Sequence, residues 1–327
     1  MILVCFGTRP EYLKVKSIIK EFGNKCKILF TGQHPDLLKE IECDYKIQIL
    51  NFGKNRLDNI LSSCMTQFPD GDFDGVIIQG DTASAFGCAL AAFHRKIKIY
   101  YVEAGLRSYD LENPYPEEAY RQMITRIADY NFAPTQDSLE NLMKENISGE
   151  VKVVGNTVLD NLVDIVNDAI YGNEILITLH RNENLSIMQD WFTELNDLAK
   201  DNPELKFILP IHPNPEIRKH KHLLSHVNVI EPLSHANLIE HIRRCKFIIS
   251  DSGGLQEEGS FFNKRIIVCR KTTERPEGLK TNHLKLCESP NNLKQLFYDF
   301  LENYKINKKC PYGDGYSAKK IKKIIYK

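Results

Sequence analysis

Short apolar runs alternate with amphipathic stretches along the whole chain. The runs at 2–6, 27–30, 75–79, 98–102, 131–133 and 151–154 read as buried strands. Between them, residues 11–22, 82–94 and 117–129 place their apolar side chains at helical spacing. The rhythm then repeats. Strands at 175–179, 206–210, 227–230, 247–250 and 265–269 alternate with helical patterns near 187–200, 216–225, 236–244 and 254–262. Strands separated by helices of this length imply parallel sheets covered on both faces.

Two such sets predict an α/β protein of two Rossmann-type, doubly wound domains, at residues 1–170 and 171–310. The seam lies at Tyr171-Gly172-Asn173, a turn or short linker after a helical pattern at 157–170. A last helix at 317–327 follows the turn Pro311-Tyr312-Gly313-Asp314-Gly315. Residues 311–327 are therefore expected to form a terminal segment that packs back on the N-terminal domain.

Charge and cysteine content narrow the class. The 43 basic and 43 acidic residues among 327 cancel, which argues against a general affinity for nucleic acid or acidic membrane. The nine cysteines are odd in number, lack any C-x-x-C pair and mostly lie in or beside apolar segments. That usage fits reduced thiols in a cytoplasmic compartment, not a disulfide framework or a zinc site. No apolar run approaches the ~18–20 residues that span a bilayer. The first strand lacks a preceding basic segment, so no signal peptide is expected.

In open α/β sheets ligands gather at the carboxyl ends of strands, and that is where the polar motifs fall. Gly7-Thr8-Arg9-Pro10-Glu11 joins the first strand to a helix. Outward N–H groups and Arg9 would make this turn an anion site, hence a substrate carrying phosphate; the plainer alternative is an ordinary turn with a surface arginine. Asp81 follows the 75–79 strand, where capping a helix is its simplest role. Glu103 leaves a buried strand, which is costly for a carboxylate without a partner or a task. Glu117 opens a helix with Arg121 four residues on. Three neighbouring acids would raise one another's pKa and supply a general base or acid. In the second half, His180 stands beside Arg181 at a strand end, and His212 sits in His212-Pro213-Asn214-Pro215. Ser252, Gly253 and Gly254 open a helix whose bare N–H groups suit a diphosphate. Glu258, one turn on, suits ribose hydroxyls, and Arg275 follows the 265–269 strand. The histidines at 220, 222 and 226 read as a solvated helix face without metal-ligand spacing.

Taken in order, Gly7-Thr8-Arg9-Pro10-Glu11, Gly80-Asp81-Thr82, Glu103-Ala104-Gly105-Leu106-Arg107, Pro116-Glu117-Glu118, His180-Arg181-x-Glu183-Asn184, Ser250-Asp251-Ser252-Gly253-Gly254-Leu255-Gln256-Glu257-Glu258 and Thr273-Glu274-Arg275-Pro276-Glu277 resemble the non-hydrolysing UDP-N-acetylglucosamine 2-epimerases. The resemblance implies a GT-B-like fold with the active site in the cleft between its domains. It implies interconversion of UDP-GlcNAc and UDP-ManNAc by loss and re-addition of UDP through 2-acetamidoglucal, with no redox cofactor and no metal. Cleft enzymes of this type are often dimers, so a homodimer is expected. By motif position, Asp81, Glu103 and Glu117 resemble the catalytic carboxylates, and His180 the group beside the leaving diphosphate. Arg9, Lys14, Arg121, His212 and Arg275 resemble substrate contacts. Ser252, Gly253 and Gly254 would hold the diphosphate and Glu258 the ribose, with Leu233 and Leu238 near the uracil. The chain departs from the pattern at Tyr101, Tyr120, Asn182 and Leu238, where relatives commonly carry histidine, asparagine, arginine or alanine, and an aromatic. The alternatives are a 2-epimerase of a 6-deoxy UDP-N-acetylhexosamine and a GT-B glycosyltransferase using a UDP-sugar. The transferase would need the same nucleotide site but not the three acids.

Overall fold

The computed structural model describes residues 1–36, 41–51, 53–165 and 170–327. They form two compact units, Met1–Asp164 with Gly313–Lys327, and Ile165–Tyr312.

The first unit is built on β1 (Ile2–Phe6), β2 (Cys26–Phe30), β3 (Tyr45–Lys46), β4 (Gly75–Gln79), β5 (Ile99–Val102), β6 (Tyr130–Ala133) and β7 (Glu150–Val153). All pairings are parallel, in the order β3-β2-β1-β4-β5-β6-β7. The strand order reverses between β1 and β4, the place where such sheets open a crevice. The wholly apolar strands follow from burial on both faces. Leu3 and Cys5 enter one core, while Ile2, Val4 and Phe6 enter the other. Helices α1 (Arg9–Phe22), α2 (Arg56–Thr66), α3 (Ala83–His94), α4 (Glu117–Ile127) and α5 (Gln136–Lys144) cover the faces. The pattern at 157–170 begins as a 3-10 turn, Thr157–Asn161; its residues 166–169 lie outside the described residues.

The second unit repeats the plan with β8 (Glu174–Thr178), β9 (Lys206–Pro210), β10 (Asn228–Ile230), β11 (Phe247–Ser250), β12 (Ile266–Val268) and β13 (Leu284–Leu286). Its six parallel strands run β10-β9-β8-β11-β12-β13, so the reversal falls between β8 and β11. Its helices are α6 (Met188–Asp201), α7 (Pro215–Arg218), α8 (His235–Arg244), α9 (Gly253–Phe261), α10 (Glu277–Lys280) and α11 (Leu293–Glu302). The helix expected at 216–225 is only α7 and a 3-10 turn, Lys221–Leu223. Lys219-His220-Lys221-His222 offers no apolar side chain for a further turn to bury. Helices α2, α5, α10 and α11 and the edge strands β3 and β13 go beyond the elements singled out from the pattern. The edge strands have two and three residues, too few to display an alternation.

The last helix, α12 (Ser317–Ile325), belongs to the first unit. Ile321 and Ala318 enter the core that Val15, Ile18 and Phe22 of α1 line. The backbone N–H groups of Ser317 and Ala318 donate to the Asp160 carboxylate at 3.0 and 2.7 Å, an acid at the positive end of a helix. Among the described residues, no helix is long and apolar enough to cross a membrane.

Candidate active site

Each sheet reverses its strand order once, and the polar residues collect at those two places. In the first unit the turn after β1 folds onto its own glutamate. The Glu11 carboxylate accepts from Gly7 N at 2.8 Å, Thr8 N at 2.7 Å, the Thr8 hydroxyl at 2.9 Å and the Thr82 hydroxyl at 2.5 Å. In return the Thr8 hydroxyl accepts from Glu11 N, closing a capping box. The N–H groups of Gly7 and Thr8, part of the anion site expected here, are thus taken by Glu11, which leaves Arg9 as that turn's group for an anion. Burial is the largest influence on Glu11 and raises its pKa; the hydrogen bonds from Thr82, Gly7 and Thr8 oppose it. The glutamate also ties the turn after β1 to the turn after β4, which carries Asp81. Arg9 is exposed at the start of α1.

Asp81 and Glu103 each meet a cation. Arg121 binds Asp81 Oδ2 from Nη2 at 2.5 Å and from Nε at 2.8 Å. Lys14 Nζ and Gln79 Nε2 both donate to the Glu103 carboxylate. The mutual repulsion expected of neighbouring acids is thus offset by Arg121 and Lys14. Glu103 stands at φ +66°, a left-handed conformation rare for a residue with a side chain. Glu117 begins α4, half-buried. The next residue, Glu118, had no role assigned from sequence. It is fully buried and accepts from Ser108 N, Tyr109 N and Gln122 Nε2, fixing the loop after β5 onto α4. Tyr120 stacks on Phe86 with ring centroids 5.0 Å apart, and Tyr101 is buried on β5.

In the second unit His180 follows β8 and Asp251 follows β11. Asp251 is wholly buried and accepts from the backbone N–H groups of His180 and Arg181, both at 2.9 Å. The His180 and His212 rings stack with centroids 5.5 Å apart and 20° between planes. Burial lowers the His180 pKa; Asp251 pulls it upward, and Arg181 and His212 push it down further.

The start of α9 differs from that of α1. Ser252 N donates to Ser250 Oγ at 2.9 Å, and the Ser252 side chain makes no capping hydrogen bond. A Cβ on Gly254 would have no atom within 4 Å, whereas one on Gly253 would lie 2.8 Å from Arg275 Nη1. Arg275 therefore lies against the glycine, although it was expected simply to reach for phosphate. Its Nε donates to Glu257 at 2.6 Å and its Nη1 to Glu274 at 2.8 Å. Arg270 extends the chain, bonding Glu274 at 2.9 Å and Glu183 at 2.7 Å. Burial opposes ionisation of Glu274, but Arg275 and Arg270 outweigh it and hold its carboxyl well below the usual range. Glu258 is bonded to His235 Nε2 at 2.6 Å, a partner that sequence reasoning missed because the two stand 23 positions apart. Leu233 and Leu238 are half-buried around the start of α8.

The family model for UDP-N-acetylglucosamine 2-epimerase matches residues 17–326. The chain belongs to the UDP-N-acetylglucosamine 2-epimerase family. It is 36% identical to the UDP-N-acetylglucosamine 2-epimerase of Campylobacter jejuni, over 100% of this chain and 97% of that relative. Among solved structures it resembles UDP-GlcNAc 2-epimerase from Neisseria meningitidis bound to UDP-GlcNAc, at TM-score 0.86 and 33% identity over 99% of both chains. A weaker likeness to Acinetobacter baumannii MurG, at TM-score 0.59 and 13% identity over 99% of this chain and 97% of that one, extends the GT-B-like fold beyond the epimerases.

Proposed function

We propose that this epimerase-family chain interconverts UDP-GlcNAc and UDP-ManNAc without net hydrolysis. The observation that carries the reading is the α9 start: an uncapped helix N-terminus with Arg275 packed on Gly253 and an acid, Glu258, one turn on. A guanidinium beside the positive end of a helix suits a site made for a polyanion. The relative from Neisseria meningitidis bound to UDP-GlcNAc supports that ligand. In this proposal the Ser252 hydroxyl and the N–H groups of Gly253 and Gly254 hold the diphosphate. Glu258, oriented by His235, accepts from the ribose, and Leu233 and Leu238 line the uracil. His180 and His212 attend the departing diphosphate.

Asp81, Glu103 and Glu117 supply the acid–base work. One carboxylate takes the proton from sugar C2 as the C1–O bond to UDP breaks, leaving 2-acetamidoglucal. A second acid returns a proton to the opposite face of C2 while UDP re-adds at C1. Arg9, Lys14 and Arg121 bind substrate and balance these acids. The left-handed backbone of Glu103 supports its role: such a conformation costs about 1–3 kcal/mol and persists where the surroundings fix a functional group. The proposal further places the chain in the cytoplasm as a homodimer, the latter testable by sedimentation.

The decisive incubation is UDP-GlcNAc in heavy water, followed by NMR. Deuterium at C2 of both UDP-sugars is expected. UDP-ManNAc carrying only protium at C2 overturns the elimination route. Free ManNAc with UDP would mark a hydrolysing enzyme, and transfer to an added acceptor without epimerisation a glycosyltransferase.

A further inference from the structure

Behind His180 lies a buried chain of polar groups that the roles above leave unused. Trp191 Nε1 donates to Asn184 Oδ1 at 3.2 Å. Asn184 Nδ2 donates to Asp251 Oδ2 and to the Cys269 carbonyl, both at 3.0 Å. Asp251 Oδ1 lies 3.5 Å from His180 Nδ1, while Asp251 Oδ2 accepts from the N–H of Arg181. These partners come from α6, from the turns after β8 and β11, and from the end of β12. They fix the carboxylate before any ligand arrives.

We propose that Asp251 is the positioning residue of His180, holding the neutral imidazole in its Nδ1–H tautomer so that Nε2 is turned to the leaving diphosphate. The Asp251 carboxylate oxygen, at an ion-pair distance of 3.5 Å from Nδ1, favours the proton on that ring nitrogen. The stacked His212 is set the other way: its Nδ1 accepts from Asn214 N at 3.2 Å, so the neutral ring carries its proton on Nε2. The pair thus offers one Nε2 acceptor, on His180, and one Nε2 donor, on His212. When protonated, His180 gives its Nε2 proton to a diphosphate oxygen as the C1–O bond breaks, and takes it back when UDP re-adds. Asp251 stabilises the imidazolium meanwhile. The charged or titratable groups facing His180 are Asp251 after β11, Arg181 on its own turn and His212 after β9. Of the two stacked rings, His180 is the one that stands beside a buried carboxylate.

This inference rests on His180 serving the diphosphate, and the test separates the two. In the intact protein carrying 15N-labelled histidine, the neutral His180 ring should show a protonated Nδ1. Asp251→Asn should lower the pH at which His180 titrates and move the acid limb of the kcat profile with it. It should reduce kcat about 10–100-fold with KM changed less than about threefold. A protonated Nε2 in the unaltered protein, or a His180 titration unmoved by the substitution, overturns the proposal. If Asp251→Asn does not fold, Asn184→Ala removes one donor from the carboxylate, leaves its charge less compensated and should move the His180 titration upward; an unmoved titration overturns it. Full activity in His180→Gln, with the Nδ1–H tautomer present, overturns the catalytic role of His180 but not the tautomer assignment.

Discussion

Two helices in this molecule start at the reversal point of a parallel sheet, and they treat their first turn in opposite ways. At α1 the chain supplies its own anion: Glu11 turns back and takes the N–H groups of Gly7 and Thr8. At α9 the Ser252 side chain makes no capping bond, Gly254 leaves open space, and a guanidinium rests on Gly253. Similar strand–turn–helix junctions thus yield one start closed by its own glutamate and one left without a side-chain cap. What separates them is the residue three places into the helix: a glutamate at α1, a leucine at α9. A helix N-terminus binds a ligand only where the chain does not satisfy it first.

The largest expected effect sharpens the α9 side. Arg275→Ala strands Glu257, a buried acid, and should cost about 3–5 kcal/mol in urea denaturation while weakening UDP binding. Glu11→Ala should cost about 2–4 kcal/mol, since each buried N–H left without an acceptor costs ~1–3 kcal/mol. Its UDP affinity, measured by calorimetry, should stay within about twofold of the parent. A large loss of UDP affinity there would erase the distinction between the two junctions.

The pH dependence of stability should also separate them, by sign. Glu11 has a raised pKa, so its contribution is fully present below the ordinary glutamate value of 4.5 and is lost as pH rises through the raised value. Glu274 has a depressed pKa, so its contribution is present above 4.5 and is lost as pH falls through the depressed value. Relative to the parent, Glu274→Gln should therefore be less stable at pH 7 and recover on acidification, whereas Glu11→Gln should fall further behind. Denaturation curves from about pH 3.5 to 7 decide this. The smallest effect on stability is Gly254→Ala. With nothing within 4 Å of the new methyl, stability should hold or rise by up to about 1 kcal/mol. UDP affinity should nevertheless fall about tenfold or more, because the methyl occupies the phosphate's approach.

The two sheets were legible because central strands such as β1 and β11 are buried on both faces, so Ile2–Phe6 and residues 247–249 appear as unbroken apolar runs. The gathering of the polar motifs was legible too, since they follow strands near the two reversal points. The closure of α1 had a signal that was misread: Thr8-x-x-Glu11 is the spacing of a capping box. The pairings were not legible. Glu258 with His235, Arg275 with Glu257, and Arg121 with Asp81 lie 23, 18 and 40 positions apart, and only the folded turns bring them together. Asp251 sat inside a recognised motif, yet its task depends on strands β8 and β11 lying side by side.

A crystal of the protein grown with UDP tests the contrast most directly. The diphosphate oxygens should accept from the N–H groups of Gly253 and Gly254, while Gly7 N and Thr8 N stay bonded to Glu11. A phosphate seated on Gly7 and Thr8 with Glu11 swung aside, or a diphosphate away from the start of α9, would contradict it.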